Sequence, residues 1–368
     1  MGKLFAFAIL TGALLASTSE AQFIADHSCA VLEDVPASWI EEVQDSWPSH
    51  YAHTSHGSQL TWGLTFIEDE DDLYDHETGS SYLPSVPGAW CIFDGQETAT
   101  YITPDLYWET GGGMDMTRAV LDNNPGIRAS MWSWCTQVDY YSEAQVQAYL
   151  DSMSVLESEY PDVTFIYMTG NAQGTGSDGY NRWLRNNQIR DFCSTGGRVL
   201  YDFADLDCWW FDPSTSEWEQ HTYEYGGYQI PAEHPQFYGN EYGHTTAESC
   251  RQKGEALWYM MAVLAGWQGT GIAQGGGNEV EGITLAVENP CSQDASIQLS
   301  SSGEVFVEVS VYTCDGRLFR RLFQGMVQEG TTSMVLTGLS TGFYLVTATF
   351  GENLLAESLV SIGSGLAF

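Results

Sequence analysis

Basic residues are scarce in this chain of 368 residues. Lysine and arginine together number 12 against 49 aspartates and glutamates, which leaves a net charge of −37 at pH 7. Lysine occurs only as Lys3 and Lys253. A surface of this sign repels nucleic acid and anionic membranes, so these two classes of partner are excluded.

Long apolar stretches are lacking beyond the amino terminus. A short basic start, an apolar run from Leu4 to Leu15 and small residues at Ser19 and Ala21 are typical of a secretory signal peptide. We expect residues 1–21 to be removed. The remaining chain has no apolar stretch long enough to span a bilayer, so we expect a protein that is secreted or held at the cell surface.

Cys-x-x-Cys pairs are lacking, although the chain has 8 cysteines. Their absence argues against a zinc ribbon or a thioredoxin-like centre, and we expect no cofactor. An even number of cysteines in an exported protein predicts disulfides. We expect Cys291 to pair with Cys314, since both lie in the C-terminal part, and Cys208 to pair with Cys250.

Apolar periodicity divides the chain into two parts. Residues 22–267 alternate short apolar strands with helices, as in the strand Val163 to Thr169 after a helix capped by Ser142. This alternation predicts an α/β domain with a parallel sheet and helices on both faces. After a glycine-rich linker at 268–282, residues 283–368 show short β-rich runs, which predict an immunoglobulin-like β-sandwich.

The most concentrated polar turn is His53 to Ser58, directly after a predicted strand. A serine in a sharp turn near imidazoles is typical of nucleophilic catalysis. Thr54 and Ser55 are also good helix N-cap residues, which leaves a structural alternative open. Ligand sites of open parallel sheets lie beyond the carboxyl ends of the strands. Three more polar turns fall there: Ser133 to Gln137, Thr169 to Asn171 and Asp202 to Asp207.

A base for such a serine is available before the last predicted helix. Glu241 and His244 have the Glu-x-x-His spacing that lets a carboxylate orient an imidazole. The pair Glu233 and His234 lies a little earlier in the same loop. Together with the serine turn, these pairs would supply a base and an orienting carboxylate for a nucleophilic serine.

From about Ser46 to Trp267 the chain resembles the SGNH or GDSL-type hydrolases, esterases on a flavodoxin-like sheet. His53-Thr-Ser55 stands in the place of Gly-Asp-Ser, and Glu241-x-x-His244 in the place of Asp-x-x-His. The resemblance implies Ser55 as nucleophile, with Ser58 as the alternative, and His244 as base. It implies Glu241, or alternatively Asp205, as the orienting carboxylate. The candidates for its oxyanion hole are Gly112, Gln137 and Asn171.

These features together predict a secreted serine esterase that removes an acyl group from a carbohydrate. The aromatic segment from Cys208 to Gly243 suits stacking on sugar rings, and the expected binding residues are Trp209, Trp210 and Tyr238. One alternative is a non-catalytic, exported glycan-binding protein that uses the same segment. A weaker one is a metal site built from His53, His56 and His244.

The C-terminal part resembles the sorting domains of the type IX secretion system. The residues that carry the resemblance are Glu288-Asn-Pro290, Val311-Tyr-Thr-Cys-Asp-Gly-Arg317 and Leu336-Thr-Gly-Leu-Ser-Thr-Gly-Phe-Tyr-Leu-Val346. The resemblance implies the secretion machinery as a partner. A plain β-sandwich accessory domain is the alternative explanation of the same pattern.

Overall fold

The computed structural model describes residues 23–267, 278–280, 283–287, 291, 295–313, 318–328, 330–339, 342–351 and 353–361. The predicted signal peptide, most of the predicted linker and Cys314 lie outside the described residues. The domain limits and the Cys291–Cys314 pairing therefore stay predictions. Within the described ranges, no helix is both long and apolar enough to cross a membrane.

Strands and helices alternate along residues 23–267. The helices described there are α1 (Ala37–Ser46), α2 (Ser58–Glu68), α3 (Gly111–Asn123), α4 (Glu143–Glu159), α5 (Gly176–Gly196), α6 (Phe203–Cys208) and α7 (Ala247–Leu264). The strands are β1 (Phe23–Ala25), β2 (Ser49–His53), β3 (His76–Ser80), β4 (Trp90–Asp94), β5 (Ala129–Ser133), β6 (Thr164–Met168), β7 (Val199–Tyr201), β8 (Trp209–Asp212), β9 (Glu217–Gln220), β10 (Thr222–Tyr225) and β11 (Tyr228–Pro231).

Seven of these strands form one sheet in the order β1-β7-β6-β5-β2-β4-β3. Every neighbouring pair in it is parallel. Strands β5 and β6 are buried at every position. Complete burial is typical of parallel strands covered on both faces. The predicted α/β fold is therefore confirmed.

The direction of winding of the sheet changes at its middle, beside β2. Strand β2 lies between β4 and β5. The chain runs from β2 out to β3 and β4 and then returns to β5 on the other side of β2. Ligands of open α/β sheets bind where the direction of winding changes in this way. The last residue pair of β2 and β5 is His53 with Ser133, so the turns that follow these strands emerge side by side.

Local signals predicted some elements better than others. Helix α4 begins at a capping box in which Ser142 and Gln145 satisfy each other's backbone N–H groups, as its N-cap residue predicted. Two edge strands escaped prediction. Strand β1 spans only Phe23–Ala25, and β3 carries the polar residues His76 and Glu77. Both are held by parallel pairing with the neighbouring strand rather than by a pattern of their own.

The C-terminal residues form antiparallel sheets with a separate hydrophobic core. Their strands are β12 (Asn278–Val280), β13 (Ile283–Val287), β14 (Ala295–Ser301), β15 (Val305–Thr313), β16 (Leu318–Val327), β17 (Gly330–Leu336), β18 (Gly342–Phe350) and β19 (Asn353–Ser361). One sheet has the order β12-β13-β14-β17 and the other β16-β15-β18-β19. The alternating burial of β14 is that of a strand with one face on a core. The predicted β-sandwich class is confirmed.

Helices α2 and α7 approach each other through glycine. A Cβ on Gly63 of α2 would overlap the backbone carbonyl of Cys250 in α7, and Gly254 faces Gly63. Helix α2 follows the turn at Ser55, and α7 follows the loop at His244.

We expect Gly63→Ala to lower the free energy of unfolding by about 1–3 kcal/mol, because an added methyl group must displace backbone. Urea unfolding of the purified protein measures it. Gly112→Ala is the matched control: the site is exposed in helix α3, and the nearest atom to its Cβ would be Thr110 Oγ1 at 3.9 Å. Equal unfolding midpoints for the two variants would contradict the prediction.

Candidate functional site

A cleft of about 570 Å³ opens at the carboxyl ends of β2, β5 and β6. Its walls come from the turns after these strands and from the loop before α7. The lining residues are His56, Cys135, Thr136, Gln173, Glu233, Tyr238, Gly239, Asn240 and His244. The cleft thus combines a thiol, two imidazoles and a carboxylate in one solvent-accessible space.

The centre of the cleft is a pair formed by Cys135 and His56. Nδ1 of His56 lies 3.0 Å from Sγ of Cys135. Cys135 stands two positions beyond the end of β5, and His56 three positions beyond the end of β2. Because β2 and β5 pair in register at their last residues, the two turns bring these side chains together. A thiol in contact with an imidazole is the arrangement of a cysteine nucleophile.

The electrostatics of the pair favour a thiolate. Burial raises the pKa of the Cys135 thiol, but the hydrogen bond with His56 and the charge of that ring outweigh it and lower the pKa to about 6. Burial lowers the pKa of His56, whereas hydrogen bonds with Cys135 and Gln173 raise it, and the net direction is upward. A lowered thiol pKa beside a raised imidazole pKa favours a thiolate–imidazolium pair.

Gln173 orients the imidazole from the opposite side. Its Oε1 lies 2.9 Å from Nε2 of His56. Its Nε2 donates to Oε1 of Glu233 at 3.0 Å and to the backbone carbonyl of His244 at 2.6 Å. An amide oxygen only accepts, so Nε2 of His56 must carry a proton and Nδ1 faces the sulfur. Cys135, His56 and Gln173 therefore have the arrangement of a nucleophile, a base and an orienting group.

Glu233 stands behind Gln173 at the wall of the cleft. Burial, followed by the charge of Asp207, raises the pKa of Glu233 to about 7. Thr245 also donates its hydroxyl to Oε1 of Glu233. The carboxylate thus fixes the amide that in turn fixes His56.

The turn that carries Cys135 is held rigidly by its neighbours. Gln137 accepts the backbone N–H of Cys135 through Oε1 at 2.8 Å. Asn171 donates Nδ2 to the carbonyl of Cys135 at 2.6 Å, and the indole of Trp134 donates to the carbonyl of Met168. Gln137 and Asn171 were predicted as oxyanion residues. Their polar groups brace the cysteine turn, and an oxyanion role for them stays a prediction.

Ser55, the predicted nucleophile, lies beside the cysteine rather than beside the predicted base. Its Oγ is 3.6 Å from Sγ of Cys135. Within the described residues, no hydrogen bond joins Ser55 to His244. Ser58 begins helix α2 and donates its hydroxyl to the carbonyl of Ser55 at 2.7 Å, which is a turn contact. The nucleophilic roles of both serines stay predictions.

His244 and Glu241 do not form the predicted hydrogen-bonded pair. Nδ1 of His244 lies 3.0 Å from Oδ1 of Asn240. Oε2 of Glu241 accepts the backbone N–H of Asn240 instead. Asp205, the alternative carboxylate, contacts His27. His244 nevertheless lines the cleft, and its role as the base stays a prediction.

The other predicted site residues are scattered. Gly112 is exposed at the start of α3 and does not line the cleft. Trp209 stacks on His27, and Trp210 stacks on His234. Tyr238 alone of the predicted sugar-binding residues lines the cleft, with 59% of its surface exposed.

The weaker metal hypothesis gains no support from the histidines. His53 contacts Asp94 and the carbonyl of Thr54, outside the cleft lining. In the described part of the chain, the group with metal-ligand proximity is Asp26, His27 and Asp205, in which Asp205 already accepts from His27.

The predicted bridge between Cys208 and Cys250 is not formed. Both are free thiols, 1% and 0% exposed. Each fills space in the core as a small apolar side chain, and Sγ of Cys250 donates to the carbonyl of Tyr242. Cys135 was not among the predicted site residues, because the cysteines were expected to form disulfides. The available signal was a cysteine in a polar turn after a strand, in register with the turn of His56.

Comparisons with known proteins do not identify the chain. No family model and no curated protein matches it. Among solved structures, BhCBM56 is 16% identical over 22% of this chain and 91% of its own, with a TM-score of 0.18. An endo-β-1,4-mannanase double mutant from Cellulomonas fimi is 11% identical over 83% of this chain and 59% of its own, with a TM-score of 0.21. The FMN-binding β-glucuronidase from Facaelibacterium prausnitzii L2-6 is 8% identical over 69% of this chain and 38% of its own, with a TM-score of 0.18. Likenesses this remote carry no argument about function.

Proposed function

We propose that the protein is a thiol-dependent acyl hydrolase that cleaves a carboxylic ester through Cys135. The observation that supports this most directly is the 3.0 Å contact of Sγ of Cys135 with His56, whose other nitrogen is held by Gln173. The pair faces a cleft, so a substrate can reach the sulfur. Five other cysteines of the α/β domain are buried: Cys29, Cys91, Cys193, Cys208 and Cys250.

The acylation step uses the ion pair directly. The thiolate of Cys135 attacks the ester carbonyl carbon and forms a C–S bond, and negative charge develops on the carbonyl oxygen. Collapse of this intermediate breaks the C–O bond of the ester. The imidazolium of His56 gives its proton to the departing alkoxide, which leaves as an alcohol. The products of this half-reaction are the alcohol, a thioester on Cys135 and a neutral His56.

Ser55 has a supporting role in this proposal. The side chains of Ser55 and His56 contact the sulfur, and the two residues come just before Gly57, the N-cap residue of helix α2. A helix N-terminus carries partial positive charge, which favours an anion beside it. The hydroxyl of Ser55 adds a hydrogen bond to the thiolate. The serine-esterase alternative instead makes Ser55 the nucleophile.

A carbohydrate ester remains our preferred substrate class. The exposed ring of Tyr238 at the edge of the cleft supports it, because aromatic rings stack on sugars. The glycan-binding alternative is favoured by a surface cluster in which Tyr180 contacts Trp183, Tyr225 and Tyr228. Tyr225 and Tyr228 are 39% and 49% exposed. Export, the SGNH-type relationship and a sorting role of the C-terminal sandwich are also proposals, resting on the sequence patterns.

The pH dependence of alkylation tests the thiolate. Iodoacetamide reacts with thiolates, so we expect modification of Cys135 and loss of esterase activity to proceed together. Their rate should rise with pH and be half-maximal near pH 6, where the thiol ionises. Alkylation rates over a pH series, with the modified residue found by peptide mass spectrometry, provide the measurement.

His56→Ala is the matched variant for this test. Without the imidazole, the half-maximal pH should rise towards the ordinary thiol value of about 8.5. An inflection that stays near its original position in this variant would contradict the ion pair. Full esterase activity of alkylated protein would contradict the role of Cys135, whereas saturable polysaccharide binding without any esterase activity would favour the binding alternative.

A further inference from the structure

The cleft contains a second imidazole that acylation does not use. His244 lines the cleft, and its ring centroid lies 4.8 Å from that of His56. Its Nδ1 is 3.0 Å from Oδ1 of Asn240, which can only accept. Nδ1 therefore carries the proton of the neutral ring, and Nε2 keeps a lone pair. In the described part of the chain no hydrogen bond reaches that nitrogen.

The backbone at His244 is held in an uncommon conformation. Its φ is +73°, and the preceding Gly243 has a φ of +57°. Left-handed φ values are uncommon outside glycine and cluster at functional sites. Gln59 donates to the carbonyl of Gly243 at 2.6 Å, and Gln173 donates to the carbonyl of His244 at 2.6 Å. The same amide of Gln173 thus sets the positions of both histidines.

The two histidines differ in charge. Burial, followed by the charge of His56, lowers the pKa of His244. The pKa of His56 is raised by its partners. At a pH between these two pKa values, His56 is therefore an imidazolium and His244 a neutral base. Two histidines in different protonation states suit a reaction in which one step needs an acid and the next step needs a base.

We propose that His244 is the general base of deacylation, which takes a proton from the water that hydrolyses the Cys135 thioester. This inference rests on the acyl hydrolase proposed above. Nε2 of His244 removes a proton as the water oxygen bonds to the thioester carbonyl carbon. The C–S bond then breaks, and its electron pair returns to Cys135 as thiolate. The carboxylic acid product gives its proton to His56, and His244 returns its own to solvent.

The test separates the two half-reactions with p-nitrophenyl acetate. His244→Asn suits it, because asparagine tolerates the left-handed backbone but is no base. We expect the burst of p-nitrophenol to persist at the wild-type rate and steady-state turnover to fall about a hundredfold or more. Mass spectrometry of quenched protein should show one acetyl group on Cys135. Hydroxylamine, which cleaves thioesters without a base, should restore turnover.

Each other outcome overturns the inference. If the burst rate and the steady-state rate both fell, His244 would act before the thioester forms. If neither rate changed, His244 would have no catalytic role. If His244→Asn does not fold, as judged by thermal unfolding, His244→Gln takes the same test with the same expected burst and rescue. Ester hydrolysis by the wild type with acetyl never found on Cys135, even after rapid quenching, would instead overturn the proposed function, and this inference with it.

Discussion

Cys135→Ala is expected to lower kcat/KM for ester hydrolysis by roughly 10⁴-fold or more, because the variant has no nucleophile. Ser55→Ala, which changes the neighbouring side chain, should lower it less than about tenfold. The serine hydroxyl contributes one hydrogen bond to the thiolate, and a net hydrogen bond is worth about 1 kcal/mol. Steady-state kinetics of both variants on a chromogenic ester measure the difference.

The comparison also decides between the two nucleophiles. The hydroxyl of Ser55 and the thiol of Cys135 are 3.6 Å apart, so one acyl group could reach either. If Ser55 were the nucleophile, the order of the two effects would be reversed. A fluorophosphonate probe would then label Ser55, whereas iodoacetamide would leave activity intact. Such a result would restore the serine esterase that the resemblance implied.

Cys135→Ser is the control for the chemistry of the sulfur. It keeps the size and a hydrogen-bonding group beside His56. A serine hydroxyl remains protonated where the thiol has a pKa of about 6, so the ion pair is lost. We expect this variant to resemble Cys135→Ala in activity and the wild type in its unfolding midpoint. Wild-type activity of Cys135→Ser would show that His56 works as a general base rather than as the partner of a thiolate.

Much of the fold follows from local patterns in the sequence. The capped helix beginning after Ser142 and the buried strand β6 were predicted because one has a helical apolar period and the other an unbroken apolar run. Strand β1 was missed because its three residues carry no period. Its pairing with β7 depends on chain partners distant in sequence. A strand that forms only because it pairs with a strand distant in sequence cannot be predicted from local composition.

The place of the site was more predictable than its chemistry. The turns after β2 and β5 were predicted to meet, and the register of His53 with Ser133 brings them together. Which side chains make contact depends on the path of each turn. A shift of one or two residues in a turn would bring a different side chain to the same place. Cys135 rather than Ser55 faces His56 because Gln137 and Asn171 fix the backbone of the cysteine turn. These braces are side-chain contacts that a linear motif does not contain.

The loop that carries Gln173 is tied to the core by the scarcest residue of the chain. Lys253, one of two lysines, is 0% exposed, and its Nζ lies 2.7 Å from Oδ1 of Asp207. Nζ also donates to Oγ of Ser249 at 2.5 Å. The other carboxylate oxygen of Asp207 accepts the backbone N–H of Ala172 at 2.7 Å, directly before Gln173. The buried pair therefore joins α7 to α6 and to the turn that carries Gln173.

Lys253→Met is expected to lower the free energy of unfolding by about 3–5 kcal/mol, because it leaves the carboxylate of Asp207 buried without its cation. Urea unfolding measures the loss. Arg251→Met on the same helix is the control: its ion pairs with Glu70 and Glu255 are partly exposed, so the loss should be about 1 kcal/mol or less. Adding Asp207→Asn to Lys253→Met should recover part of the stability, because the amide is neutral and its oxygen still accepts from Ala172. If the losses in free energy of unfolding caused by Lys253→Met and by Asp207→Asn simply added in the double variant, the stabilising role of the pair would be contradicted.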